Sequence, residues 1–319
     1  MIEHRQPDIK NLRIIFFGTP EFAVPFLEAL IHVGHTPIAV ITQPDRPVGR
    51  KHIIEETPVK KIARAHTIPV LQTEKINTPL WIEKISSLKP NLIVVVAFGQ
   101  IIPQGILDIP SYGCINVHPS LLPKYRGASP LQEALLRGDT ETGVTIMHMD
   151  ANMDHGPILA QKKIHISPQE TIETLRKKTT TIGVTLLTET VQALLAKTIP
   201  SIIQDDSQAT YTRLLTRESG KIDWVGSAEY IERQVRALNP WPGTWIVHEG
   251  KRLKILKTSL YKKTDTSHLP QGSIGKKGEL ILAWCKTGIV ILEEIQIEGK
   301  KPMKASEFLR GYPHFFPHI

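Results

Sequence analysis

A two-part α/β chain is what the sequence predicts, and three observations predict it. Over the first two hundred residues short β-branched runs alternate with amphipathic segments, the pattern of a parallel sheet wrapped by helices. After Ile199 the apolar period lapses into the polar stretch PSIIQDDSQATYTRLL, long enough to join two bodies. Beyond that stretch come short apolar runs set off by Gly-bearing turns, as in a small antiparallel barrel. A length of 319 residues suits two domains.

The elements follow in order. Arg13–Phe17 (RIIFF) reads as a buried strand and Gly18-Thr19-Pro20 as a turn. Glu21–Val33 is a helix with Phe22, Phe26 and Leu30 four apart, stopped by Gly34. Ile38–Ile41 is a second strand. Helices at Pro58–His66 and Pro79–Leu88 carry Pro at the first helical position and take Thr57 and Thr78 as caps. Leu92–Phe98 (LIVVVAF) is apolar without a break, as a central strand covered on both faces must be. Tyr112–Val117 and Val144–Met149 are further strands with a helix at Leu131–Leu136 between them, and Ser167 to Glu170 is a capping box opening a helix toward Ala196. The expected architecture is a Rossmann-like parallel sheet in residues 1–197, a linker over 198–216, and an OB-like β-barrel in 217–319. That last domain holds one helix at Ala228–Leu238 and strands at Thr244–His248, Arg252–Leu256, Gly272–Gly275, Leu280–Ala283 and Ile289–Ile297.

Composition narrows the function. Apolar residues are 41% and charged residues 22%, ordinary globular usage. The longest apolar run has seven residues, far short of the ~20 that span a bilayer, and the start MIEHRQPDIKN lacks the apolar core of a signal peptide. Cys114 and Cys285 stand apart with no paired spacing, so neither a disulfide framework nor a zinc site is expected and a reducing cytoplasm is. The net charge is +8, of which +6 falls between Arg217 and Ile319, the footprint of a polyanion partner or of a solubilising surface. The turn Gly18-Thr19-Pro20-Glu21 has neither a dinucleotide fingerprint nor a phosphate loop, and there is no HExxH or GxSxG; no metal is expected.

Chemistry concentrates in Gly113–Pro130, GCINVHPSLLPKYRGASP. Asn116 and His118 leave the end of a strand two residues apart and share a face, at the carboxyl edge where open α/β sheets bind ligands. The segment MDANMDHGP presents Asp154 from another strand end. An amide, an imidazole and a carboxylate are what acyl transfer to an amine needs: an oxyanion donor, a proton carrier and an orienting charge. A single His after a strand is also, more often, a capping or core residue.

The residues NVHPSLLPKYRG with the downstream D-HG resemble the 10-formyltetrahydrofolate-dependent formyltransferases. FFGTPEFAVPFLEAL, TQPDRPVGR, FGQIIP, GVTIMHMDANMDHGPIL, IDWVGSA and RALNPWPGTW extend the resemblance over the whole chain, to the branch that acts on initiator methionyl-tRNA. NPWPG recurs in relatives acting on sugar nucleotides and discriminates weakly; TQPDRPxGR, an inserted loop in the tRNA branch, discriminates better. The resemblance implies 10-formyltetrahydrofolate as formyl donor and initiator methionyl-tRNA as acceptor, with a monomeric, cytoplasmic enzyme and no membrane partner. It implies Asn116, His118 and Asp154 as the catalytic trio. An apolar slot for the folate falls on Phe98, Ile101 and Ile102 with the backbone of Ser120, Leu121, Leu122 and Pro123, and tRNA contacts fall on Arg46, Arg50, Lys51, Arg252, Lys254 and Lys257. Arg126 is left as either a surface charge or a substrate contact. Two departures stand out: the loop continues KHIIEETP where the family is more basic, and Pro119 stands where many relatives have Gly. The alternatives are an N-formyltransferase acting on an amino-sugar nucleotide, a folate hydrolase using water as acceptor, and a non-catalytic RNA-binding protein.

Overall fold

The computed structural model describes residues 12–49, 53–262 and 269–319. In chain order its elements are β1 (Ile14–Gly18), α1 (Val24–His32), β2 (Ala39–Thr42), β3 (Arg46–Val48), β4 (Ile53–Glu55), α2 (Pro58–Ala65), β5 (Val70–Gln72), α3 (Pro79–Ser87), β6 (Leu92–Val96), α4 (Gln104–Leu107) and β7 (Cys114–His118). They continue as β8 (Arg126–Gly127), α5 (Pro130–Arg137), β9 (Glu141–His148), β10 (Ile158–His165), α6 (Ile172–Leu195), β11 (Tyr211–Thr212) and α7 (Ala228–Leu238). The chain ends with β12 (Thr244–His248), β13 (Lys251–Leu260), β14 (Ile274–Lys277), β15 (Leu280–Trp284), β16 (Ile289–Ile297), β17 (Met303–Lys304) and α8 (Ala305–Gly311). Two compact units emerge, one from residues 1–127, 142–165 and 176–211, the other from 128–141, 166–175 and 212–319.

The first unit is built on a seven-stranded sheet in the order β10-β9-β7-β6-β1-β2-β5. β1, β2, β5, β6 and β7 run parallel, and every residue of β1 and β6 is buried, which explains why both read as unbroken apolar runs. β9 departs from the expected parallel order: it enters antiparallel to β7, with Asn116 opposite Met147 and His118 opposite Thr145. β10 has no counterpart among the expected strands, because its middle, Gln161 to Lys163, lies open to solvent and carries no apolar alternation. Phe17, Ile41, Ile93, Phe98, Ile102 and Ile106 form the core on one side of this sheet.

Helix starts follow local chemistry. The Thr57 hydroxyl accepts from the Lys60 N–H, as expected of an N-cap, whereas the Thr78 side chain makes no capping bond. The Ser167–Glu170 motif closes a turn of its own, its two side chains bonded at 3.0 Å. Helix α6 then begins after Thr171, whose hydroxyl accepts from the Thr174 N–H at 3.3 Å.

The second unit carries an antiparallel sheet in the order β12-β13-β16-β15-β14, with β17 added beside β16. Leu253, Ile255, Ile281, Leu292, Ile295 and Phe308 fill its core with Ile231 and Val235 of α7. Short bridges from Lys221 to Trp245 and from His318 to Lys276 cover the two outer strands, which blunts their open edges. Asn239 of NPWPG is structural here: its amide reaches the Val235 and Ile255 carbonyls at 3.0 Å each and the Thr244 hydroxyl at 2.9 Å.

Candidate active site

β6 and β7 are parallel neighbours, so the residues that follow them emerge at the same sheet edge. At the end of β7, His118 is 4% exposed, and its Nε2 lies 2.9 Å from the Tyr125 carbonyl oxygen. A carbonyl only accepts, so Nε2 carries a proton there and Nδ1 is the nitrogen left for chemistry. Nδ1 faces Asp154 Oδ2 at 3.6 Å, beyond a direct hydrogen bond. The same Oδ2 accepts from the Gly127 N–H at 2.7 Å, so β8 fixes the carboxylate while leaving the gap to the imidazole open. The structure thus brings His118 and Asp154 together, with Asn116 two residues before His118 on the same strand. Cys114 shares that strand, but burial pushes its thiol up to about 12, which disfavours a thiolate there.

The loop after β7 is stitched to the neighbouring strands. Thr145 Oγ1 donates to the Ser120 carbonyl at 2.7 Å and accepts from the Leu122 N–H at 3.2 Å, while the Gln161 amide donates to the Leu122 carbonyl at 2.7 Å. The backbone of Ser120 and Leu122, expected to face a folate ring, is already engaged within the protein; Leu121 and Pro123 are half-buried. Phe98 and Ile102 lie in the core, Phe98 edge-on to Phe17 at 5.1 Å, whereas Ile101 is 77% exposed at the end of β6. Of the apolar trio, Ile101 is the member whose side chain faces solvent.

Arg126 is neither a surface charge nor free for substrate. It is 1% exposed and bonds Gln204 Oε1 at 2.9 Å, Asp206 Oδ1 at 2.7 Å and the Tyr211 hydroxyl at 3.2 Å. His155 bridges Asp150 at 2.6 Å and Asp206 at 3.3 Å; the bond to Asp150 raises its pKa, and the Arg126 bond lowers that of Asp206. Gln204 and Asp206 gave no signal in the sequence because they sit in a polar connector without periodicity; His155 lies in the D-HG motif, but the motif alone gave it no role.

The inserted segment is a β3–β4 hairpin, in which Arg46 stands opposite Glu55. Its root is pinned: Lys60 Nζ meets Asp45 at 2.5 Å and Gln72 at 3.0 Å, Gln72 reaches the Gln43 carbonyl at 3.1 Å, and Gln43 donates to the Phe98 carbonyl at 3.0 Å. Glu56 is turned toward Arg64 and Lys60. Arg46 is exposed; Arg50 and Lys51 lie outside the described residues.

In the second unit Arg252 and Lys254 are exposed on alternate positions of β13, between the buried Leu253 and Ile255. The Arg252 guanidinium stacks 3.9 Å from the Trp245 ring, and Lys254 stands opposite Trp245 in the β12–β13 register. Lys257 lies at a register shift and pairs with Glu293 at 3.1 Å.

Residues 12–191 match the formyl transferase family, and residues 214–313 match the formyl transferase C-terminal domain. The chain belongs to this family. It is 46% identical over 303 residues to a methionyl-tRNA formyltransferase of Geobacter sulfurreducens, covering 95% of this chain and 94% of that one. It is 42% identical over 304 residues to a methionyl-tRNA formyltransferase of Lachnospira eligens, covering 94% and 96%. Among solved structures, the fold resembles an N-formyltransferase from Helicobacter canadensis in complex with folinic acid and dTDP-3-aminofucose, with TM-score 0.67 and 20% identity over 88% of this chain and 99% of that one. It also resembles HypX from Aquifex aeolicus in complex with tetrahydrofolic acid, with TM-score 0.64 and 15% identity over 97% of this chain and 48% of that one.

Proposed function

We propose that this formyltransferase moves the formyl group of 10-formyltetrahydrofolate to the α-amino group of methionine on initiator tRNA, for the start of protein synthesis. The observation that carries the reading is the similarity of 46% over nearly the whole of both chains to a relative named for that reaction, against 20% for the sugar-modifying fold neighbour. The hairpin bearing Arg46 and the basic face of β13 support it, since neither has a use in an enzyme acting on a small sugar nucleotide.

Asn116, His118 and Asp154 are assigned the chemistry. The folate supplies the formyl carbon that the methionine amine attacks. The Asn116 amide and a proton on His118 Nδ1 donate to the oxygen that gains charge; the bond from the formyl carbon to the folate nitrogen then breaks, and Asp154, held by the Gly127 N–H and facing the same imidazole nitrogen, takes part in moving the amine's proton to that leaving nitrogen. The gap of 3.6 Å between His118 and Asp154 leaves room for each to meet a substrate atom or a water without either moving. Ile101 is assigned to the folate ring, with Phe98, Ile102 and the Ser120 to Pro123 backbone as the rigid wall behind it. Such an acceptor places the reaction in the cytoplasm, where the buried, free Cys114 and Cys285 stay reduced, and a monomer suffices.

The test is formyl transfer from 10-formyltetrahydrofolate to charged initiator tRNA, run beside an amino-sugar nucleotide and a water-only control. Formylation of the tRNA alone is expected; formylation of the sugar without the tRNA replaces this reading with the alternative.

A further inference from the structure

Among the described residues the largest fully buried side chain is a charged one, Arg126, and the chemistry just assigned does not use it. A buried guanidinium is costly unless its donors are met, and these are met in a particular order. Nε and Nη2 both point at one atom, Gln204 Oε1, at 3.1 and 2.9 Å. The other end of Gln204 donates to two backbone carbonyls, that of Asp154 at 2.9 Å and that of Gly156 at 2.7 Å. Arginine only donates and carbonyls only accept, so the amide is fixed with its oxygen toward Arg126 and its nitrogen toward the loop. No other side chain of this length offers an acceptor to one partner and two donors to the other.

The loop so held needs holding. Asp154 has a φ of +50°, a left-handed conformation that few residues other than Gly adopt, Asp included, although Asp adopts it more readily than most. Gly156 approaches β9 so closely that a Cβ there would lie 2.0 Å from the His148 carbonyl oxygen. Arg126 also belongs to β8, whose next residue sends its N–H to the Asp154 carboxylate at 2.7 Å. The same two-residue strand therefore grips Asp154 twice, through the Gly127 N–H and, by way of Gln204, through the carbonyl of Asp154 itself.

We propose that Arg126 and Gln204 form a buried clasp that positions Asp154 against His118 Nδ1, acting on the chemical step without touching substrate. The clasp rests on the assignment of Asp154 to catalysis, and the experiment separates the two. Gln204→Glu keeps the acceptor for Arg126 but replaces both donors with an oxygen facing the carbonyls of Asp154 and Gly156. Single-turnover formylation by the full chain is compared for the wild type, Gln204→Glu, Asp154→Asn and the double variant, with thermal unfolding as a check of folding.

The expected result is a loss of about 10- to 100-fold in the chemical step for Gln204→Glu, with the KM for 10-formyltetrahydrofolate changed by less than about 3-fold. In the Asp154→Asn background the same substitution should cost less than about 3-fold more, because the residue it positions is already gone. Arg126→Lys keeps the charge but loses the fork, and should follow the same non-additive pattern to a smaller extent; it carries the cycle if Gln204→Glu does not fold. A full multiplicative loss in the Asp154→Asn background overturns the clasp and makes Gln204 a scaffold residue. Wild-type turnover in Gln204→Glu beside an inactive Asp154→Asn overturns the clasp and leaves the catalytic assignment standing. Wild-type turnover in Asp154→Asn removes both.

Discussion

The proposed catalytic edge of the first unit and the basic face of the second hold their charges by opposite rules. His118 is buried between the Tyr125 carbonyl and Asp154, and Arg126 is buried among Gln204, Asp206 and Tyr211. Arg252 and Lys254 stand in solvent on a regular strand, with the Trp245 ring orienting the arginine. A group that must meet a developing charge within a few tenths of an ångström needs its freedom removed beforehand. One that meets a phosphate backbone acts by releasing counterions and tolerates a looser fit. The two regions should therefore fail differently, one in rate and the other in salt-dependent affinity.

Replacing Asn116 or His118 by Ala should sharpen that contrast most. Loss of one oxyanion donor typically costs about 100- to 1,000-fold in turnover. Asn116→Ala should leave thermal stability nearly unchanged, whereas His118→Ala, which empties a buried site and leaves the Tyr125 carbonyl without its donor, should cost about 1 to 3 kcal/mol of stability. A folded variant with near wild-type kcat sinks the assignment. Arg46→Ala should fall between the two regions, because its hairpin is anchored through Asp45 and Lys60; we expect about a 10- to 100-fold loss in single-turnover rate with charged tRNA and little change in folate binding. If only KM for tRNA moves, the hairpin is a phosphate contact and nothing more.

Next in size, Arg252→Ala with Lys254→Ala should raise KM for charged tRNA about 10-fold and lower the steepness of its salt dependence by about 2, with the rate at saturating tRNA retained. An unchanged salt slope would make this face a merely solvated one. Lys257→Ala should matter less, by about 2-fold in KM, since Glu293 already neutralises that lysine. A Lys257 effect equal to that of Arg252 would show the ion pair opening on binding.

The smallest expected effect is on stability. The raised pKa of His155 means its ion pairs with Asp150 and Asp206 contribute fully below its usual value near 6.5 and are lost as pH rises through the folded value. The lowered pKa of Asp206 acts in the opposite sense, its contribution present above the usual 3.8 and lost as pH falls through the folded value. Both groups are well solvated, so the difference in melting temperature between the wild type and His155→Gln should be under about 2 °C at pH 6 and vanish toward pH 9. A difference that grows with pH refutes this sign.

Strands buried on both faces were legible because their environment leaves one residue class to choose from: IIFF before Gly18 and LIVVV before Ala97 both sit in the sheet as expected. α7 is found at the expected residues because a Ser cap and an amphipathic face mark it locally. β10 and the β3–β4 hairpin were missed, since exposed strands need no apolar pattern and hydrogen bonds to a neighbour leave no trace in composition. Asn116, His118 and Asp154 stood out by type at a strand edge. The Gln204 amide did not, because its importance lies in three partners distant in sequence.

Helix α5 has a partner that comes late in the chain. Its buried face, Leu131, Ala134 and Leu135, belongs to the second unit and packs on α7, with Arg233 Nε donating to the Leu136 carbonyl at 3.0 Å. On a ribosome adding about 5 to 20 residues per second, α7 follows α5 by about 5 to 20 s. During that interval the nascent chain carries an uncovered leucine-bearing helix between the segments that form β7 and β9. A gene fragment ending in the connector would make that interval permanent, so the shortened protein should need a chaperone or a detergent where the whole one does not.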